Sequence, residues 1–98
     1  EDSLSVIIAA FARHGLKINL MQNTAISFQV CVNQDVNRLN RVISELEEMF
    51  NLDTEDGLEL VTIRYYDQAT IDRVTVNKEI ILEQHNRKVA QMVMKDLS

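Results

Sequence analysis

The 98-residue sequence contains no proline, two glycines and one cysteine. Without proline-rich or glycine-rich stretches, no flexible linker divides the chain. A phosphate-binding loop needs several closely spaced glycines, whereas Gly15 and Gly57 are far apart, so ATP is not bound in that way. Cys31 is the single cysteine and cannot form an internal disulfide. We therefore expect a reducing compartment, with the cytoplasm as the predicted location.

Positive charge is also scarce, with 10 lysines and arginines against 15 aspartates and glutamates. The net charge is −5 and the pI is about 4.9. Nucleic acids and anionic membrane surfaces attract clustered lysine and arginine. No apolar run approaches the roughly 18 residues that a membrane-spanning helix requires. These features predict neither nucleic acid nor a membrane as a partner.

The sequence has no recognisable catalytic or metal-binding motif. G-x-S-x-G and H-E-x-x-H are absent, and His14, His85 and Cys31 match no zinc-ligand spacing. His14 has an alternative role as an acid or base, but a basic residue at a helix C-terminus is the favoured interpretation. We predict no catalytic residue, no metal site and no cofactor in this chain.

The first half of the chain shows clear periodic patterns. Apolar residues from Leu4 to Phe11 recur at helical spacing, and Gly15 fits a left-handed helix stop. Residues 17–21 alternate as a strand, with Ile18 and Leu20 on one face. Residues 26–32 alternate again, with Ile26 among the residues that share the apolar face. The short separation predicts a β-hairpin.

A second helix begins at Asn33 or Asp35 and carries an apolar stripe through Phe50. A strand at 58–66, a helix at 68–74 and a hairpin with strands at 79–84 and 89–94 follow. The order α-β-β-α-β and then α-β-β predicts an α+β fold. A ferredoxin-like βαββαβ unit accounts for residues 1–66 if its first strand precedes Glu1, and residues 67–98 then form the α-β-β part of a second unit. The absence of an initial methionine fits a fragment of a longer protein, and the small size makes a partner subunit attractive.

The predicted turn of the first hairpin contains Gln22, Asn23 and Thr24. Together with Asn19 on the strand before it, these residues offer amides and a hydroxyl with little bulk or charge. Such groups suit a small polar ligand such as an amino acid. The alternative is an ordinary hairpin turn, in which asparagine and threonine are common for conformational reasons.

The segment Phe11 to Val32 resembles the first ACT domain of aspartate kinases. In that family a helix ending like ARHG leads into a strand of the form I-x-V-D-L, a T-S-E or Q-N turn, and a strand such as V-S-V-S-L. Here the corresponding phrases are ARHG, LKINLMQNTA and ISFQVCV. GLELVTI also resembles the segment that closes the first ACT unit, and KEIILEQ with KVAQMVMKD resembles the strand pair that ends the second.

The resemblance implies a regulatory, non-catalytic region of a short, monofunctional aspartate kinase, whose kinase domain uses ATP and magnesium and precedes this chain. The ACT region dimerises and binds an end-product amino acid, usually lysine or threonine, which inhibits phosphorylation of aspartate. The alternative is a ferredoxin-like module that only dimerises. Matching the family's motif to this sequence implies the following effector-binding positions: Leu4, Lys17, Ile18, Asn19, Gln22, Asn23, Thr24 and Ala25.

Two positions depart from the family pattern. Asn19 replaces an aspartate that often pairs with the ammonium of the effector, and Ala25 replaces the glutamate of the T-S-E turn. A lysine side chain would lack its anionic partner at such a site. Three alternatives follow from this: a less cationic effector such as threonine, a compensating charge elsewhere, or a lost response.

Overall fold

The structure is a computed structural model that describes residues 3–97, so Glu1, Asp2 and Ser98 lie outside the described residues. Its elements are helices and strands in mixed order: α1 (Ser3–Arg13), β1 (Ile18–Asn23), β2 (Phe28–Val32), α2 (Val36–Leu46), β3 (Leu58–Arg64), α3 (Gln68–Val74), β4 (Lys78–His85) and β5 (Val89–Asp96). They form two compact units that meet between Thr54 and Glu55.

In the first unit, helix α1 ends where the sequence predicts. Gly15 has φ +68°, in the left-handed region that glycine adopts without a steric penalty. The N–H of Leu16 donates to the carbonyl of Phe11 at 2.9 Å, and the N–H of Gly15 donates to that of Ala12 at 3.1 Å. This pair of hydrogen bonds is a Schellman motif, which turns the chain from α1 toward β1.

The core of the first unit lies between helices and hairpin. Its buried residues come from α1, from the turn after α1 and from α2: Ala10, Phe11, Leu16, Val42 and Leu46. Ile18 of β1 and both Val30 and Val32 of β2 pack against this cluster. The hydrophobic residues of α1 and α2 therefore hold one face of the hairpin in place.

Helix α2 is capped by Asp35, whose Oδ1 accepts from the N–H of Arg38 at 3.2 Å. The helix ends at Leu46, so Met49 and Phe50 lie beyond it. Phe50 still packs against the core, whereas Met49 is 57% exposed. The predicted apolar stripe is confirmed for Leu39, Val42 and Leu46, whereas placing Met49 and Phe50 on the helix was wrong.

The second unit contains a three-stranded antiparallel sheet in the order β3-β5-β4. The central strand β5 carries the most buried side chains, with Met92 and Met94 each 1% exposed. Asp67 caps α3 by accepting from the N–H of Thr70 at 2.8 Å. Strand β3 ends before Tyr65, which has φ +54° and so departs from strand conformation.

The predicted α+β class is confirmed, with two small antiparallel sheets and three helices among residues 3–97. Strand β3, which the sequence led us to group with residues 1–66, pairs with β5 and lies in the second compact unit. Pairing of strands is non-local, so order along the chain does not show which sheet a strand joins. The division into ACT units at residues 66 and 67 stays a prediction. None of the described helices is long and apolar enough to cross a membrane.

Candidate functional site

The first hairpin contains six of the eight predicted effector positions, with Lys17 immediately before it, but its turn lies later than predicted. Strand β1 continues through Gln22 and Asn23, which pair with Gln29 and Phe28. The turn is therefore formed by residues 24–27, and placing Gln22 and Asn23 in it was wrong. Both residues belong to the strand because their backbone groups complete the ladder with β2.

Thr24 organises the actual turn. Its N–H donates to the carbonyl of Ser27 at 2.8 Å, and its Oγ1 accepts from the N–H of Ser27 at 3.0 Å. Ile26, which we expected on the apolar strand face, lies in this turn and is 96% exposed. Thr24 is thus a turn-forming residue whose oxygen is already used, and Ala25 beside it offers only backbone groups.

A register shift between Ile18 and Leu20 changes which side chains share a face. Ile18 pairs with Val32, whereas Leu20 pairs with Cys31. Because paired residues share a face and successive residues alternate, Ile18 and Leu20 point to opposite faces. The prediction that they share one was wrong, since alternation alone does not reveal an extra residue, here Asn19, in a strand.

The same register separates the two amides near the tip. Asn23 pairs with Phe28, on the face of β2 that carries Val30 and packs against the helices. Gln22 pairs with Gln29, on the opposite face. Both amide side chains are exposed, and neither forms a hydrogen bond to another residue within 3–97. They are available to a ligand, but from different sides.

Asn19, at the register shift, is half-buried and already has a partner. Its Nδ2 donates to Oδ1 of Asn33 at 2.8 Å, which links the start of β1 to the end of β2. This contact uses the Nδ2 of Asn19, so the Oδ1 of Asn19 is left as a hydrogen-bond acceptor. Asn19 can therefore accept a hydrogen bond from an ammonium, although it brings no negative charge.

The remaining predicted positions differ in accessibility. The side chain of Ile18 packs against the core, so this side chain is not a candidate ligand contact. Lys17 is exposed immediately before β1, and Leu4 is half-buried in the first turn of α1. Lys17 through Ala25 form one continuous segment, whereas Leu4 is placed on a separate element.

The charged side chains at the C-terminal end of α1 form contacts with a carboxylate of α2. Glu45 of α2 accepts from His14 Nε2 at 2.9 Å and forms an ion pair with Arg13. The Arg13 guanidinium and then His14 hold the pKa of Glu45 below its ordinary value. This contact joins the C-terminal end of α1 to α2.

Other candidate reactive groups have structural surroundings. Burial raises the pKa of the Cys31 thiol, which disfavours a reactive thiolate. No cluster of three histidine, cysteine, aspartate or glutamate side chains within residues 3–97 has a geometry suited to a metal ion.

Sequence reasoning missed a second polar site in the hairpin of β4 and β5. Gln84, His85, Asn86, Val89 and Gln91 line a shallow pocket of about 170 Å³ there. We treated His85 and Asn86 only as turn residues. The signal that would have found the pocket is the pairing of two glutamines, Gln84 with Gln91, across adjacent strands next to that turn.

Searches of protein-family models, of curated proteins and of solved structures each returned no significant match to this chain.

Proposed function

We propose that this chain is the regulatory, amino-acid-binding ACT region of an aspartate kinase. In this proposal the catalytic domain lies elsewhere in the parent protein, and the chain itself binds an end-product amino acid. Supporting it are the resemblance of Phe11 to Val32 to the ACT pattern and an α+β architecture compatible with a ferredoxin-like fold. The observation that carries the proposal is that β1 ends in two exposed amides, Gln22 and Asn23, one on each face of the hairpin, and neither has a hydrogen-bond partner among residues 3–97.

The charges of the segment favour threonine over lysine as the effector. Residues 16–32 contain no aspartate or glutamate, and Asn19 presents a neutral amide. The carboxylate near this segment in sequence, Asp35, is committed to capping α2. A lysine side-chain ammonium would lose its hydration here and gain no carboxylate in exchange, which is unfavourable. The threonine hydroxyl needs only a hydrogen bond.

Thermal unfolding with L-threonine, L-lysine and L-methionine tests the proposal. A ligand that binds only the folded state at ten times its Kd adds about 1.4 kcal/mol to the free energy of unfolding. We expect threonine to raise Tm the most. If none of the three amino acids raises Tm at millimolar concentration, amino-acid binding is refuted.

Variants then locate the site. Gln22→Ala and Asn23→Ala remove one exposed amide each, and we expect one of them to weaken threonine binding several-fold while Tm without ligand changes little. A lost hydrogen bond to a ligand is worth about 0.5–1.5 kcal/mol, or about two- to twelve-fold in Kd. Asn51→Ala is the matched control, since Asn51 is an exposed amide in the connector after α2. An equal response of all three variants would remove the site from this hairpin.

The second candidate function is dimerisation without a ligand. Strands β1 and β2 pair only with each other among residues 3–97, so each leaves an outer edge. Such an edge is a template for pairing with another chain. Sedimentation of the chain over a wide concentration range distinguishes the cases: a dimer that no amino acid stabilises supports this second function, and a strict monomer contradicts it.

A further inference from the structure

The second unit carries a polar pocket in the hairpin of β4 and β5. Strands β3 and β4 both run antiparallel to β5, so both end where β5 begins. At this end Arg64 pairs with Val89 and His85 pairs with Ala90. The pocket of about 170 Å³ is far larger than the space that a single water needs, so a small polyatomic ligand fits.

The walls of this pocket are fixed by hydrogen bonds within the hairpin. Tyr66 Oη donates to the carbonyl of Asn86 at 2.6 Å and lies 3.3 Å from Nδ1 of His85. Asn86 Oδ1 accepts from the N–H groups of Lys88 and Val89 at 2.8 and 2.9 Å. The turn is therefore held in one conformation before any ligand arrives, which lowers the entropic penalty of binding.

These contacts also orient the donor groups. Because Oδ1 of Asn86 is occupied twice, its Nδ2 is left as a donor. Gln91 is half-buried in the pocket, and its amide forms no hydrogen bond to another residue in the described part of the chain. The pocket thus offers at least two amide N–H groups beside the imidazole of His85.

Positive charge collects at the same end of the sheet. Arg87 and Lys88 form the turn between Asn86 and Val89, and Arg64 lies across from Val89. None of these three cations has an ion pair with another residue of the range 3–97. In a chain of net charge −5, three unpaired cations at one end make a local positive potential.

No carboxylate within residues 55–97 forms an ion pair with these three cations. At the opposite end of the sheet Lys78 pairs with Glu59 at 2.6 Å, and Lys95 pairs with Glu55 at 3.1 Å. Near the pocket, Asp67 is engaged in capping α3, and Glu83 lies opposite Met92, one pair farther from the turn than Gln84.

We propose that this pocket binds a small oxyanion, namely the phosphate or carboxylate group of a small molecule. Amide donors of Asn86 and Gln91 fix the oxygens, while Arg64, Arg87 and Lys88 supply the charge. All residues of the site belong to the second unit, and the proposal does not depend on the proposed function.

A two-dimensional ¹H–¹⁵N NMR titration of the whole 98-residue chain tests it, with inorganic phosphate and acetate as probes and chloride keeping the ionic strength constant. We expect phosphate to shift the amides of residues 84–91 in a saturable manner. If acetate also binds, the site accepts carboxylates as well as phosphate. If acetate fails, it is a phosphate site. If neither shifts these amides, or if the shifts fall on the first hairpin instead, the proposal is overturned.

A matched pair of variants separates a local site from general attraction to cations. Arg87→Gln removes one charge at the pocket, and we expect it to weaken phosphate binding about two- to five-fold, the range for one exposed charge pair. Arg41→Gln removes an equally exposed charge from α2 in the other unit and should leave the affinity unchanged. Equal weakening by both variants would show non-specific binding and contradict the proposal.

Discussion

The end of helix α1 allows a quantitative prediction, because its geometry isolates one energetic term. Gly15 has φ +68°, and a Cβ added there meets only the Arg38 Cζ at 3.9 Å, an ordinary van der Waals distance. Gly57 has φ +72°, and no atom of residues 3–97 lies within 4 Å of its added Cβ. In both positions the penalty for alanine therefore comes from the left-handed backbone and not from a steric clash.

The expected magnitude follows from two opposing terms. A left-handed conformation costs an L-residue about 1–2 kcal/mol. Alanine also restricts the unfolded chain, which returns about 0.4–1 kcal/mol. Gly15→Ala should thus lower the free energy of unfolding by up to about 1.6 kcal/mol, with a middle value of about 0.8 kcal/mol. A change of 1 kcal/mol corresponds to about 4–8 °C in Tm for a domain of this size. Gly15→Asn should recover part of the loss, because asparagine tolerates the left-handed region.

Circular dichroism on heating gives Tm, and amide hydrogen exchange gives the local effect. The N–H of Leu16, which donates to the Phe11 carbonyl, should lose protection in Gly15→Ala and keep it in Gly57→Ala. If Leu16 kept its protection in Gly15→Ala while Tm fell, the Schellman motif would not be what ends α1.

Two further predictions concern stability. Because Arg13 and His14 hold the pKa of Glu45 below its ordinary value of 4.5, Glu45 stabilises the fold at higher pH. That contribution should fade as the pH falls from about 4.5 through the lowered pKa. Urea unfolding at pH 7 and pH 3 measures the decrease in the free energy of unfolding between the two pH values. We expect this decrease to be smaller in Glu45→Gln, because glutamine does not titrate. Met92→Ala should lower the free energy of unfolding by about 2–5 kcal/mol, since the Met92 side chain is 1% exposed. Met49→Ala is the control, because Met49 is 57% exposed, and it should change the free energy of unfolding by less than about 0.5 kcal/mol.

Local signals in the sequence predicted most of the elements. The helix at residues 68–74, the cap at Asp35 and the stop at Gly15 are all confirmed, because capping residues and glycine act through their immediate neighbours. The hairpin of β4 and β5 is also where the two runs at 79–84 and 89–94 placed it. Each of these features depends on contacts within a few residues of the chain.

Features that depend on pairing across the chain were not predictable in the same way. The register shift at Asn19 adds a residue that no alternation pattern marks, and it moved Leu20 to the opposite face. The continuation of β1 through Asn23 is decided by hydrogen bonds to β2, although Asn23 and Thr24 have residue types common in turns. The partner of β3 likewise depends on a strand about thirty residues later.

The register of the first hairpin also limits how an amino acid can bind there. The eight predicted positions cannot surround one ligand with their side chains, because Ile18 packs into the core and Gln22 and Asn23 lie on opposite faces. What remains compatible with one ligand is the backbone around Lys17 and Ile18, the amide oxygen of Asn19 and one of the two strand amides. The hydrogen bond from Asn19 to Asn33 sets the direction of that oxygen. Unequal effects of Gln22→Ala and Asn23→Ala would thus identify the occupied face of the hairpin, and comparable losses from both would place the ligand at its tip.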